Sequence, residues 1–268
     1  MAGSFAAADG RRRLFLRRGN GEKALPLPEP PGQEGKERRG AVLLVDGGGR
    51  LAGLAWLEGD GLRSLAVRAA AWNGRRWQAP SWVSRPGPGS QIALSGAVLA
   101  DGSWLLAWSK FDGQDDEIVW SRRGTGGTWS PVRSLSKDNA VPDITPAVTA
   151  SKGGALISWS RYDGNQYRLM LARFAEGKWR DERPIGPPGS LYPSFSTSEN
   201  GAALLYLEAA KPRAWAVLEL DAAGRVRARA SVPSALERPV VAPSAAGEVI
   251  LRWPALAREA TARLEKVQ

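Results

Sequence analysis

Three loops of the chain carry the same short sequence, Trp-x-x-x-Asp-Gly: Trp56 to Asp60-Gly61, Trp108 to Asp112-Gly113 and Trp159 to Asp163-Gly164. An aspartate repeated in this way can accept hydrogen bonds from sugar hydroxyls, hold a cation, or act as acid or base if its surroundings move its pKa. The residues just ahead of it add a cation and a ring: Lys110-Phe111 before Asp112 and Arg161-Tyr162 before Asp163. Aromatic side chains beside charge are a composition found at recognition surfaces. Asp60, Lys110, Phe111, Asp112, Arg161, Tyr162 and Asp163 are therefore the candidate binding residues. A purely structural account covers the same positions. Asp-Gly is a favoured hairpin turn, because Asp bonds to the backbone just beyond it and Gly accepts positive φ. The tryptophans likewise suit packing between sheets as well as stacking on a sugar.

The rest of the composition narrows the chemistry. There are no cysteines and no histidines. That removes disulfides, thiolate nucleophiles, Cys-ligated zinc, the commonest general base and the usual partner of a serine nucleophile. Catalysis, if present, falls to carboxylates, Tyr, Lys or Arg. No cofactor and no metal is expected: Asp115-Asp116-Glu117 lacks the spacing of a calcium loop, and neither a phosphate-cradling Gly loop nor a dinucleotide fingerprint opens a helix. The net charge of +10 favours anionic partners. Outside the runs Arg11-Arg12-Arg13 and Arg17-Arg18 the arginines are scattered singly, as on a solvated basic surface, and no nucleic-acid motif is visible. A glycan or protein ligand, anionic in character, is the expected partner, with no specific nucleic acid, and the chain is expected to be a monomer. No apolar run reaches the length of a membrane-spanning helix. The start, MAGSFAAADG, lacks the basic and apolar regions of an intact signal peptide. A secreted or periplasmic location is favoured only if such a peptide has been removed.

The elements that position these loops are read from turns and alternation. With Gly 31 and Pro 19, the sequence suits many short strands joined by turns. In the second unit, Trp104 to Trp108 and Glu117 to Ser121 flank the Asp112-Gly113 turn, and a Gly-rich turn ends at Trp129. The order recurs. Trp56, Trp108, Trp159, Tyr206 and Trp253 close the second strand of successive units at spacings of 52, 51, 47 and 47 residues. Trp77, Trp129, Trp179 and Val226 follow them by 21, 21, 20 and 20 residues. Four short strands per period of about 50 residues is the signature of a β-propeller. The fold class is therefore all-β, a five-bladed β-propeller of four-stranded antiparallel blades in one domain over residues 1–268. Its blades fall at about 41–90, 91–141, 142–190, 191–235 and 236–268, the last closed by N-terminal strands from residues 11–30 around a Gly19-Asn20-Gly21 turn. The tail, PALAREATARLEKVQ, reads equally as a helix or as an added strand.

Ser121, Gly126, Gly127, Thr128, Trp129, Ser130 and Pro131 resemble the Asp-box (BNR) repeat of sialidase-like propellers, with Arg122-Arg123-Gly124-Thr125 standing where that box has its aspartate. The third unit keeps Gly177 and Trp179 of the motif, and the first keeps Gly74 and Trp77. The resemblance implies a propeller whose box turn is architectural. Catalytic relatives of this kind use an arginine triad, an acidic acid/base and a Tyr paired with a Glu. No Arg-Ile-Pro segment stands near the first inner strand here. The favoured function is non-enzymatic binding or scaffolding, with the ligand on the face carrying the Trp-x-x-x-Asp-Gly loops. The alternative is a glycoside hydrolase of sialidase-like or five-bladed type working through loop carboxylates.

Overall fold

A computed structural model describes residues 2–6, 12–16, 36–87, 89–135, 140–198, 201–209, 212–233, 237–243, 248–253 and 258–267. The chain forms two compact units, 1–145 and 146–268.

In the first unit, β1 (Ala2–Ala6) and β2 (Arg12–Leu16) pair with each other in an antiparallel ribbon. A four-stranded antiparallel sheet follows, in the order β3 (Glu37–Val45), β4 (Leu51–Gly59), β5 (Ala66–Ala71) and β6 (Ser81–Trp82). The next sheet repeats it with β7 (Gln91–Val98), β8 (Trp104–Phe111), β9 (Asp116–Arg123) and β10 (Arg133–Ser134). The second strands β4 and β8 are buried almost end to end, as expected of strands covered on both faces. Leu44, Ala55, Leu57 and Val67 of one sheet pack with Leu106, Trp108 and Val119 of the next in a single core.

The second unit takes most of β11 (Asp143–Ser151) and continues with β12 (Gly154–Tyr162), β13 (Tyr167–Ala175) and β14 (Lys178–Ile185). The fourth sheet is β15 (Leu191–Ser198), β16 (Gly201–Glu208), β17 (Ala214–Leu220) and β18 (Val226–Pro233). The last is β19 (Val240–Pro243), β20 (Glu248–Trp253) and β21 (Arg258–Arg263). β22 (Glu265–Lys266) then returns to β18, pairing at Ala228 and Arg229. Leu156, Leu169 and Leu171 pack with Leu204, Tyr206 and Leu218. Leu205, Trp215 and Val217 pack with Val249, Leu251 and Trp253. Among the described residues there is no α-helix.

The strand order within each sheet matches the repeat, and two details at the ends differ from it. The tail is strand: Arg258–Arg263 supplies the third strand of the last sheet, where the N-terminal strands were expected. Arg12–Leu16 takes Ala2–Ala6 as its partner, and the Gly19-Asn20-Gly21 turn and the strand after it lie outside the described residues. The marker residues are structural. Trp56, Trp108, Trp159, Tyr206 and Trp253 are all buried. Trp129 closes its turn by bridging Arg123, with Ser121 Oγ donating to the Ser130 carbonyl and Gly127 at φ 88°. Arg122, in the segment that stands where the box has its aspartate, turns to Asp101 at 2.6 Å.

Candidate functional site

The three Asp-Gly loops share a sequence but not a geometry. Asp112 and Asp163 make their turns. Asp112 Oδ1 accepts the N–H of Gln114 at 2.8 Å and of Asp115 at 3.2 Å, with Gly113 at φ 118°. Asp163 Oδ1 accepts the N–H of Asn165 and Gln166 at 3.1 and 2.9 Å, with Gly164 at φ 93°. Its Oδ2 also takes Arg168 Nε at 2.6 Å. Asp60 does neither. Its loop is longer, and the turn is a single 3-10 turn, Leu62–Ser64, closed by Ser64 on Gly61, whose φ of −176° is ordinary extended backbone. The Asp60 carboxylate is left 80% exposed and pairs with Lys36.

The turn contacts fix the Asp112 and Asp163 carboxylates as anions. Backbone N–H groups of Gln114 and Asp115 hold the Asp112 carboxyl below its usual range. The Arg168 hydrogen bond, joined by the Gln166 and Asn165 amides, lowers Asp163 to about 2. Asp116 moves the other way: burial and the nearby Asp112 charge raise it.

The side chains ahead of the aspartates fare differently in the two loops. Phe111 is 37% exposed and Lys110 half-buried, beside the Asp112 turn. Arg161 donates to Glu182 at 2.7 Å and lies 5.6 Å from the centre of the Trp159 ring. Tyr162 packs on Tyr167 at 5.3 Å and donates its hydroxyl to the Gly164 carbonyl at 3.1 Å. In the first unit Asp112, Phe111 and Lys110 thus form one loop, with Asp60 on the equivalent loop of the preceding sheet. In the second, Arg161, Tyr162 and Asp163 form another.

A Tyr–Glu pair of the kind the resemblance implies does occur, and its surroundings disqualify it as a nucleophile. Tyr206 donates to Glu208 at 2.9 Å, with Arg229 on the same carboxylate. The ring is fully buried, and burial together with the Glu208 charge pushes the phenol pKa far up. It stays protonated and serves the core. Its counterpart in the first repeat is Trp56, whose Nε1 donates to Glu58 at 3.0 Å. Glu58 is fully buried and also takes Arg38 Nε at 2.7 Å and Arg68 Nη1 at 2.8 Å. The sequence signal for both is an aromatic two residues ahead of an acid at the end of the second strand. Where a base stands there instead, as at Lys110, the Trp108 indole N–H is buried with no acceptor among the described residues.

A second feature was invisible to sequence patterning. Gly40, Ala93, Thr145 and Tyr192 all have positive φ, at 59°, 54°, 54° and 56°. They stand near the start of the first strand of successive sheets, and register shifts mark bulges there in β3, β7 and β15. The serine after the strand-closing tryptophan holds two of them: Ser109 Oγ accepts the Thr145 N–H at 3.1 Å and Ser160 Oγ the Tyr192 N–H at 3.2 Å. Tyr192 is 41% exposed and its carbonyl accepts Arg238 Nη2 at 3.0 Å. Backbone strain of this kind in a bulky residue is held in place by its surroundings and concentrates at recognition sites. Of the other first-strand loop residues, Asp143 is fully buried, and Asp138-Asn139 lie outside the described residues. Among the described residues no cluster of acidic side chains is placed to hold a metal ion, and no helix is long and apolar enough to cross a membrane.

Comparison with known proteins supports the fold and stops there. No family model matches the sequence, and no curated protein matches it. Among solved structures, a protein of unknown function from Dyadobacter fermentans aligns over 97% of this chain and 84% of its own, at TM-score 0.56 and 12% identity. TolB from Acinetobacter baumannii aligns at TM-score 0.56 and 11% identity, over 95% of this chain, which spans 60% of TolB. The fucose-specific lectin from Aleuria aurantia aligns at TM-score 0.51 and 14% identity, over 84% of this chain and 70% of the lectin. With its run of four-stranded antiparallel sheets, the chain is an all-β protein whose neighbours among solved structures have propeller-like folds.

Proposed function

We propose that this chain is a binding or scaffolding β-propeller that takes a glycan or protein ligand at the loops joining second to third strands. One observation carries this. Asp112 and Asp163 are held as anions by their own turns, so near neutral pH they can accept hydrogen bonds or meet a cation but have no proton to give. Beside them stand Lys110 with exposed Phe111, and Arg161 with Tyr162. Asp60, exposed and paired only with Lys36 among the described residues, adds a carboxylate at the equivalent place in the first repeat. The reading takes the five repeats as blades of one propeller over residues 1–268, supported by the marker period and by the strand order recurring from sheet to sheet. The lectin likeness bears on the fold and leaves the sugar open.

The hydrolase alternative has one observation in its favour. Asp116 is raised while neighbouring Asp112 is lowered, and carboxyls pushed apart in this way are how acid and base roles are divided. A glycan array probed with wild type, Phe111→Ala and Asp112→Ala separates the readings when paired with a hydrolysis assay on every glycan retained. Binding is expected to fall in both variants, with no turnover by the wild type. Turnover abolished by Asp116→Asn would establish the hydrolase. Absence of glycan binding would direct the search to a protein ligand.

A further inference from the structure

We propose that the outer edge of β21 is a docking site for an extended, acid-flanked segment of a partner protein, added as the fourth strand of the last sheet. The edge is distinct from the loops discussed above. The other sheets of the repeat have four or five strands, whereas this one has three: among the described residues β21 has β20 on one side and no strand on the other.

An unpaired edge presents a row of backbone donors and acceptors to any strand that passes, and proteins normally blunt it. The other sheets here do so in recognisable ways. β6 and β10 are two residues long. β14 is charged at Lys178, Arg180, Asp181, Glu182 and Arg183, with a register shift opposite and Asp181 at positive φ. β18 is partly covered by β22. β21 runs six residues against β20 in unbroken register and carries no bulge or proline. Beside it lies a groove of about 520 Å³, walled by β18 from Arg229 to Pro233 and by Thr261, Ala262, Arg263 and Glu265. Ala260 and Ala262 face the core with Val232 and Trp253, so small side chains leave room along the apolar side.

Charge selects the occupant. Exposed Arg258 and Arg263 stand at the two ends of the edge. A second copy pairing antiparallel about the centre of β21 would set Arg258 against Arg263 twice, and like charges directly opposite are destabilising. A partner strand with an acid at each end meets both. Facing antiparallel, its order from the N-terminus is acid, apolar, Thr, apolar, Lys, acid, the apolar residues opposite Ala262 and Ala260 and the Lys opposite Glu259.

The experiment uses the full chain and a fluorescent peptide, Gly-Asp-Val-Thr-Val-Lys-Asp-Gly, read by anisotropy and by hydrogen exchange of residues 258–263. Saturable binding is expected, with those amides gaining protection. The double reversal Arg258→Glu/Arg263→Glu, at exposed positions, is expected to weaken binding about tenfold or more and to accept a peptide with Arg in place of both Asp. Three results overturn the proposal. One is no saturable binding. Another is binding indifferent to the charge swap. The third is protection, without peptide, of the β21 amides that do not bond to β20, whether at all concentrations, which assigns the edge to the chain's own segment, or only at high concentration, which assigns it to a second copy.

Discussion

Replacing Glu58 by alanine strips the shared acceptor from three buried donors. Arg38 and Arg68 are each 6% exposed, and both guanidiniums would lose the carboxylate that Glu58 gives them. Removing one partner of a buried pair costs about 3–5 kcal/mol. At about 2–4 °C per kcal/mol for a chain of this size, the midpoint should fall by roughly 6–20 °C. Arg68 holds other ties, to the Pro80 carbonyl at 3.2 Å and over the Trp82 ring at 4.6 Å, so the charge stays buried and is not simply released to water. The informative companion is Arg38→Met/Glu58→Leu/Arg68→Met, which removes the three charges together, at the cost of the acceptor of the Trp56 N–H and the Arg68 donor of the Pro80 carbonyl. It should regain at least about 1 kcal/mol over Glu58→Ala, since exchanging a whole buried cluster for apolar groups is often neutral. Urea unfolding followed by tryptophan fluorescence measures both variants. Acid supplies a second axis. Burial pushes the Glu58 carboxyl up, but hydrogen bonds from Arg68, Arg38 and Trp56 outweigh it and the net shift is down. A folded pKa below the unfolded one means a stabilisation fully present above the unfolded value and lost as pH falls through the folded value. The gap between wild type and Glu58→Gln should therefore close on acidification. A cost below about 1 kcal/mol for Glu58→Ala, against the 3–5 expected of a buried pair, or a triple variant no better than the single, refutes the reasoning.

Three further outcomes follow from the loops and bulges. Gly164→Ala should cost about 1 kcal/mol because the position sits at positive φ, while Gly61→Ala, extended and with open space around it, should be neutral in the same unfolding assay. Tyr192→Gly should be more stable than Tyr192→Ala by about 1 kcal/mol, and Ser160→Ala should cost about 1–3 kcal/mol by orphaning the Tyr192 N–H. In a carboxyl titration by NMR, Asp163 should show a midpoint near 2, moving up toward the ordinary aspartate value in Arg168→Ala.

How much of this could be read from the chain depends on whether the deciding contacts are local. The Trp56–Trp108–Trp159 period was legible because each tryptophan does the same job in its own sheet, and the Asp112 and Asp163 turns were legible because a four-residue hairpin closes on its own backbone. Asp60-Gly61 carries the same dipeptide, yet its loop is longer, so Leu62–Ser64 makes the turn instead. The tail, open between helix and strand in the sequence, is decided by a tertiary contact. Arg258–Arg263 has helix-favouring alanines, but Val249 and Leu251 need covering, and a strand laying Ala260 and Ala262 on that core overrides the propensity. The positive φ of Ala93, Thr145 and Tyr192 has no local sequence signal, because nothing local demands it there. The demand comes from outside the strand, at Thr145 and Tyr192 from the serine that anchors the backbone N–H.

In the first four repeats a charged residue stands two positions after the strand-closing aromatic. It is Glu58, Lys110, Arg161 and Glu208 in turn. Its sign reverses between repeats, and its counter-charge reverses with it. Glu58 meets Arg68 of the third strand, Arg161 meets Glu182 of the fourth, and Glu208 meets Arg229 of the fourth. In three of the four repeats this charge is thus neutralised by a partner on a later strand of its own sheet, in either orientation. The aromatic then sorts with the charge. An acid can accept from Trp56 or Tyr206, as it does in the first and fourth repeats, whereas Lys110 leaves Trp108 Nε1 without an acceptor among the described residues. The loops that follow inherit these differences, with Phe111 exposed beside Lys110 and Tyr162 held against Tyr167 beside Arg161. A ligand taken at these loops would therefore meet chemically distinct sites in successive repeats, so ablating the Asp112 loop and the Asp163 loop separately should alter binding to different degrees.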